Sequence, residues 1–228
     1  MYKAGFVIAT IALVLVGVSS LACAENGFQL KVIDKEPPAE LDDNLRGQLT
    51  PKAHQLSDGD GLFFEFWFAS SIPLKAPAET SKDMLKNIEE ITLLGAVVVH
   101  QEERYDFRDD PIDPGLFVMR LALQPQDGNH MGTAPFNTFA LLLPHEKDAE
   151  VLEYPDHETL VELASEDTVA EHPPILSAQP LDDASGEFPR LAEGGDDWHF
   201  LCLKLPAKAG EKNMDLVFQL VFEGVGEL

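Results

Sequence analysis

Basic residues are scarce in this chain, and cysteine scarcer. Among 228 residues there are 16 Lys and Arg against 40 Asp and Glu, a formal charge of −24, and only two cysteines. So negative a chain repels phosphate backbones and anionic lipid heads, and no Lys/Arg-rich stretch offsets it locally. Nucleic acid is excluded as a partner on these grounds. Two cysteines cannot build the disulfide framework of a small secreted domain, and without a CxxC pair or a CxxCH there is no signature for structural zinc or attached haem. The usual catalytic signatures are missing as well. There is no GxSxG elbow, no GxxxxGK[ST] phosphate loop and no GxGxxG at a strand-to-helix turn. His145-Glu146 and His157-Glu158 each begin like HExxH, but neither has a histidine at the fourth position along, so the second ligand on the helix face is absent.

What is present begins with an export segment. Met1-Tyr2-Lys3 carries one positive charge, Phe6 to Val18 is apolar, and Ala22-Cys23-Ala24 offers a small-x-small cleavage site. The sequence therefore predicts a leader over residues 1–24 and a mature chain from Glu25. That chain would keep every acidic residue, lose Lys3, and retain Cys202 alone, so no intrachain disulfide could form. A second reading cuts after Ala22 and acylates Cys23 as in a lipoprotein, although Ser20-Leu21-Ala22 matches such a site only in part. Both place the protein outside the cytoplasm, periplasmic or extracellular, with a lipid on Cys23 as its one route to a membrane.

The remainder, residues 25–228, has the length and hydrophobic content (45%) of one ordinary domain. Leu62 to Phe68 alternates as a strand does, after the turn composition Asp58-Gly59-Asp60-Gly61. Leu216, Phe218, Leu220 and Phe222 alternate in the same way. Further strands are expected at 28–33, 93–103, 116–124, 139–143 and 199–205, with 102–108 extending one of them or starting another. Helical spacing appears at Ser81–Glu90, capped by Thr80 or Ser81, and at Glu158–Ala170 before Pro173-Pro174. Residues 35–60 and 172–198 are dense in Pro, Asp, Glu and Gly and read as long loops. Six to eight strands with few helices predict a mainly β antiparallel sandwich, its topology jelly-roll-like or Ig-like.

Several side chains could carry function. His130, His172 and His199 sit at loop or strand-end positions; His130 and His199 with Asp197 are the set from which zinc ligation is conceivable. Asp106, Asp109, Asp110 and Asp113 supply the oxygen donors calcium prefers, without the spacing of an EF-hand. Blue copper is excluded: His199 precedes Cys202, no histidine follows it, and their odd separation puts them on opposite strand faces. Cys202 reads as a small buried hydrophobe. Glu65 and Trp67 share one face of the clearest strand, where an open aromatic beside a carboxylate would hold a sugar ring or a cationic ligand; if covered, both belong to the core. No cofactor is required by any of these residues. The expected function is a binding or interaction module for a small molecule or an envelope protein. The alternative is a metal-dependent extracytoplasmic hydrolase using histidines from loops.

Overall fold

The computed structural model describes residues 22–25, 27–124, 134–166, 168 and 172–226. Fourteen strands are present among them: β1 (Ala22–Glu25), β2 (Phe28–Asp34), β3 (Lys52–Asp58), β4 (Gly61–Phe68), β5 (Ile72–Pro73), β6 (Leu93–Val99), β7 (Arg104–Tyr105), β8 (Pro111–Ile112), β9 (Gly115–Leu123), β10 (Thr138–Pro144), β11 (Ile175–Pro180), β12 (Arg190–Glu193), β13 (His199–Ala209) and β14 (Lys212–Glu223). Four short helices accompany them: α1 (Asp43–Arg46), α2 (Ser81–Lys86), α3 (Asp148–Glu153) and α4 (His157–Ser165).

The protein is mainly β, built on one large curled sheet in the order β1-β2-β3-β4-β6-β9-β10-β11-β14-β13-β12. Every neighbour on that path is antiparallel, and only β5 adds in parallel, against β13. Short connections impose the antiparallel order. Ser57 faces Leu62 and Asp58 faces Gly61, so the link between β3 and β4 is the pair Gly59-Asp60. There Asp58 accepts a hydrogen bond from the Asp60 backbone at 2.9 Å. The β13–β14 hairpin turns likewise on Gly210-Glu211, with Gly210 at φ +59°, a conformation the right-handed strand twist demands and glycine adopts at no steric cost.

Two features curl the sheet. β11 changes partner midway, pairing with β10 through Ile175–Ser177 and with β14 through Ala178–Pro180. At the far ends, β12 lies against β1 and β2, and the Phe28 ring of β2 meets His199 at 4.7 Å and Phe222 at 5.2 Å. The inner space is filled with side chains. Phe64, Phe66, Phe68, Phe218 and Phe222 are all essentially inaccessible, and so are Phe63 and Trp67 on the opposite face of β4. At about 2–3 kcal/mol for each large apolar side chain removed from water, this aromatic group is the main stabilising mass of the body. A second cluster sits on the outer face of β10, β11, β13 and β14, where Val151 of α3 and Leu160, Leu163 and Ala164 of α4 cover Leu141, Leu143, Cys202 and Val221.

The two alternating segments, and the strands expected at 28–33, 116–124, 139–143 and 199–205, are all found in the fold. So are both helices, with Thr80 accepting from the Asp83 backbone at the start of α2. The helix expected to reach Ala170 ends at Ser165. The strand expected over 93–103 stops at Val99, and the short β7 opens a separate two-stranded hairpin with β8. Residues 35–60 and 172–198 are not simply loops. The first holds α1 and β3, the second β11 and β12. β3 reads Lys-Ala-His-Gln-Leu-Ser-Asp, with two apolar residues and none β-branched apart from the polar pattern of a surface segment. Its strand conformation comes from the partners on either side, which tertiary context supplies and local propensity does not.

Candidate functional site

Strand β4 places Glu65 and Trp67 on one face, and both are buried, each with 1% exposure. A carboxylate out of water needs donors, and three elements bring them. Lys35, just past the end of β2, gives its ammonium to both oxygens at 2.9 and 2.7 Å. Gln55, directly opposite Glu65 in the β3–β4 register, donates to Oε1 at 2.7 Å. His100, following β6, brings Nε2 to 3.6 Å from Oε2. Trp67 completes the arrangement from beneath, donating its indole N–H to the Lys35 carbonyl at 3.0 Å while the Lys35 ammonium lies 5.3 Å from its ring centre.

The group is a clasp. Lys35 is held by its side chain and its backbone, which fastens the start of the 35–51 segment against the sheet. Leu41, Leu45 and Leu49 of that segment join the same core as Trp67. Because the Trp67 face is covered, its ring offers no open stacking platform in this structure, and Glu65 is committed to internal partners. Lys35, about half exposed, and His100, about a third exposed, are the members that face water.

The histidine and carboxylate positions fall elsewhere. His199 opposes Glu193 across the β12–β13 pair, Nδ1 to Oε1 at 3.8 Å, and packs edge-on against Phe28. Asp197 is exposed in the turn ahead of it, with φ +61°. His130 lies outside the described residues, and His172 is an exposed side chain 4.0 Å from Asp110. Among the described residues no group of three or more His, Cys, Asp and Glu is placed to hold a metal ion. Cys202 is fully buried, its Sγ 3.8 Å from Gln219 Oε1. Cys23 pairs through its backbone with Leu30 in the β1–β2 register.

The acidic turn is organised by arginine. Asp106 is buried, receives the backbone N–H groups of Arg108, Asp110 and Ile175, and pairs with the Arg108 guanidinium at 3.0 Å. Burial pushes its carboxyl above the ordinary aspartate range, against the opposing pull of Arg108 and those N–H groups. Arg108 also bonds the Pro173 carbonyl, so the turn is tied to the chain entering β11.

Other charged contacts had no sequence signal. Arg120 of β9 and Asp148 of α3 form a buried two-pronged pair at 2.7 and 2.8 Å. Arg104 stacks on Phe63 at 4.1 Å and reaches Asp58, Gln101 and Glu223. Glu90 accepts from the Leu123 backbone at 2.9 Å and meets His157 at 2.7 Å, joining the end of β9 to the start of α4. Apart from Gln101, these partners lie 28 to 119 residues away and leave no local motif to find. An open depression of about 430 Å³ lies between α2 and the β13–β14 pair, floored by Met84 and Val217 and edged by the Lys204–Asp215 ion pair at 3.0 Å.

No family model, curated protein or solved structure matches the chain.

Proposed function

We propose that this is an exported, strongly acidic binding or interaction module, working beyond the cytoplasm and recognising its partner through its rim and outer surface. The observation that carries the reading is the clasp at Glu65. The most distinctive polar side chain of the strand core is consumed in holding Lys35 and the 35–51 segment, and Arg104, Arg108 and Arg120 are consumed in the same way elsewhere. Such commitment favours a rigid body that presents a surface over a site that turns over a substrate. The chain's excess of carboxylates makes the favoured partner a neutral or cationic envelope protein.

A sandwich-like arrangement, with one wall from β2 to β10 and a second from β12 to β14, is the finer architecture we favour. Its support is the partner change within β11, since a strand that switches sheets is how corners between facing walls are made.

The test is fractionation of cells expressing the full chain, followed by affinity capture and metal analysis of the exported material. Recovery in the extracytoplasmic fraction with a saturable protein partner supports the reading. Intact chain beginning at Met1 in the cytosol removes the export half. Stoichiometric zinc lost from a His130→Ala or His199→Ala variant replaces the module with the metal-dependent hydrolase.

A further inference from the structure

The two ends of the curled sheet do not touch each other alone; β1 lies between them. Ala22, Cys23, Ala24 and Glu25 pair antiparallel with Lys31, Leu30, Gln29 and Phe28, and β1 also lies against β12. The Glu25–Phe28 pairing leaves a connection of only two residues, with Gly27 at φ +90°, so β1 is the outer arm of a tight hairpin. The export reading cuts this arm: cleavage after Ala24 removes three of its four residues and leaves the edge of β2 along residues 29–31 without its partner strand. An unpaired edge is a template for another strand. No proline lies in β2 to block that edge.

We propose that the seam between β2 and β12 is a strand-docking site, which after leader removal takes an extended, small-residue peptide segment of a partner as an added strand antiparallel to β2. The proposal rests on the export reading with cleavage after Ala24. Three observations set the occupant's chemistry. β1 pairs with β2 and lies against β12, which also approaches β2 directly. The segment paired there reads Ala-Cys-Ala in sequence, three small residues. A second copy is disfavoured as occupant, because pairing β2 to β2 would bring together two bodies each carrying a charge near −24.

The experiment compares chains beginning at Ala22 and at Glu25, each titrated with a synthetic peptide of residues 20–26 carrying Cys23→Ser. N-terminal sequencing of the exported protein runs beside it. The chain from Glu25 is expected to melt about 4 °C lower than the chain from Ala22, to bind the peptide one to one, and to recover most of that difference. The chain from Ala22, with its own strand in place, should bind at least tenfold more weakly. Should the shorter chain fold only when peptide is present, that rescue supports the proposal equally. Equal melting temperatures, or indifference of the shorter chain to millimolar peptide, folded or unfolded, overturn it. So does a concentration-dependent dimer that peptide leaves intact, which would assign the edge to self-pairing. An exported chain that retains residues 22–24 also overturns it, through the cleavage premise, and is told apart from a failed docking by the sequencing result.

Discussion

Two buried carboxylates, one on β4 and one on α3, are neutralised in different ways. Glu65 lies under a lysine that is about half exposed, and its other neighbours are a glutamine and a partly exposed imidazole. Asp148 meets Arg120 through two hydrogen bonds with both side chains nearly inaccessible, and Arg120 spends a further N–H on the Ile91 carbonyl. The first pair keeps one partner in contact with water, where lost attraction is partly replaced by solvation. The second has no such recourse, because α3 and the loop at Ile91 close over it. A buried pair contributes little relative to an apolar substitute, yet removing one member strands the other. The difference therefore predicts how each region fails.

The largest effect is expected from Arg120→Leu, which leaves the Asp148 carboxylate buried without its counter-ion. A loss of about 3–5 kcal/mol in denaturant unfolding should follow, with recovery in the double variant carrying Asp148→Leu. If the single variant loses under 1 kcal/mol, the pair is not the closed centre described.

Acid should act next. His54, on β3, is buried against Phe68 at 5.0 Å, and its Nδ1 has no hydrogen-bond partner. Burial, with a smaller push from the Lys52 charge, outweighs hydrogen bonds at the Phe66 and Lys52 backbones and brings its pKa down from 6.5 to about 4. The folded state thus resists a proton that the unfolded state accepts. Its contribution is complete above pH 6.5 and is lost as pH falls toward 4, a total of about 3 kcal/mol. Unfolding measured at pH 7.5 and 4.5 in the protein and in His54→Leu isolates this term, and an identical pH dependence in the two would refute it.

At the Glu65 clasp, Lys35→Met is expected to cost about 2 kcal/mol, less than the Arg120 change because Gln55 and water remain. Faster proteolysis within residues 35–51 should accompany it if Lys35 is what fastens that segment. Smallest is the cap of α4, where Asp156 accepts the Thr159 N–H at 2.8 Å, which holds its carboxyl below the usual range. Asp156→Ala should lower the melting temperature by a small amount, with little effect on the clasp.

Most of the strands were legible because β4 and β14 alternate without interruption and β9, β10 and β13 are rich in apolar residues between clear breaks. β3 and β12 were not, since their residues suit a surface segment and become strands only beside a partner. The candidate site was legible in half. Glu65 and Trp67 stood out on one strand, but Lys35 and His100 come from 30 and 35 positions away, and only folding brings them near. Whether the Trp67 face is open or covered is likewise no property of β4.

By itself, then, the amino-acid order settled the β character, the strongest turns, the start of α2 to within a residue and the surplus of negative charge, because each depends on composition or on neighbours within a few residues. Folding in three dimensions decided the closing of the sheet, the partner change inside β11, and which carboxylates would be sealed from water. Those outcomes depend on contacts between distant segments, whose energies no local pattern encodes.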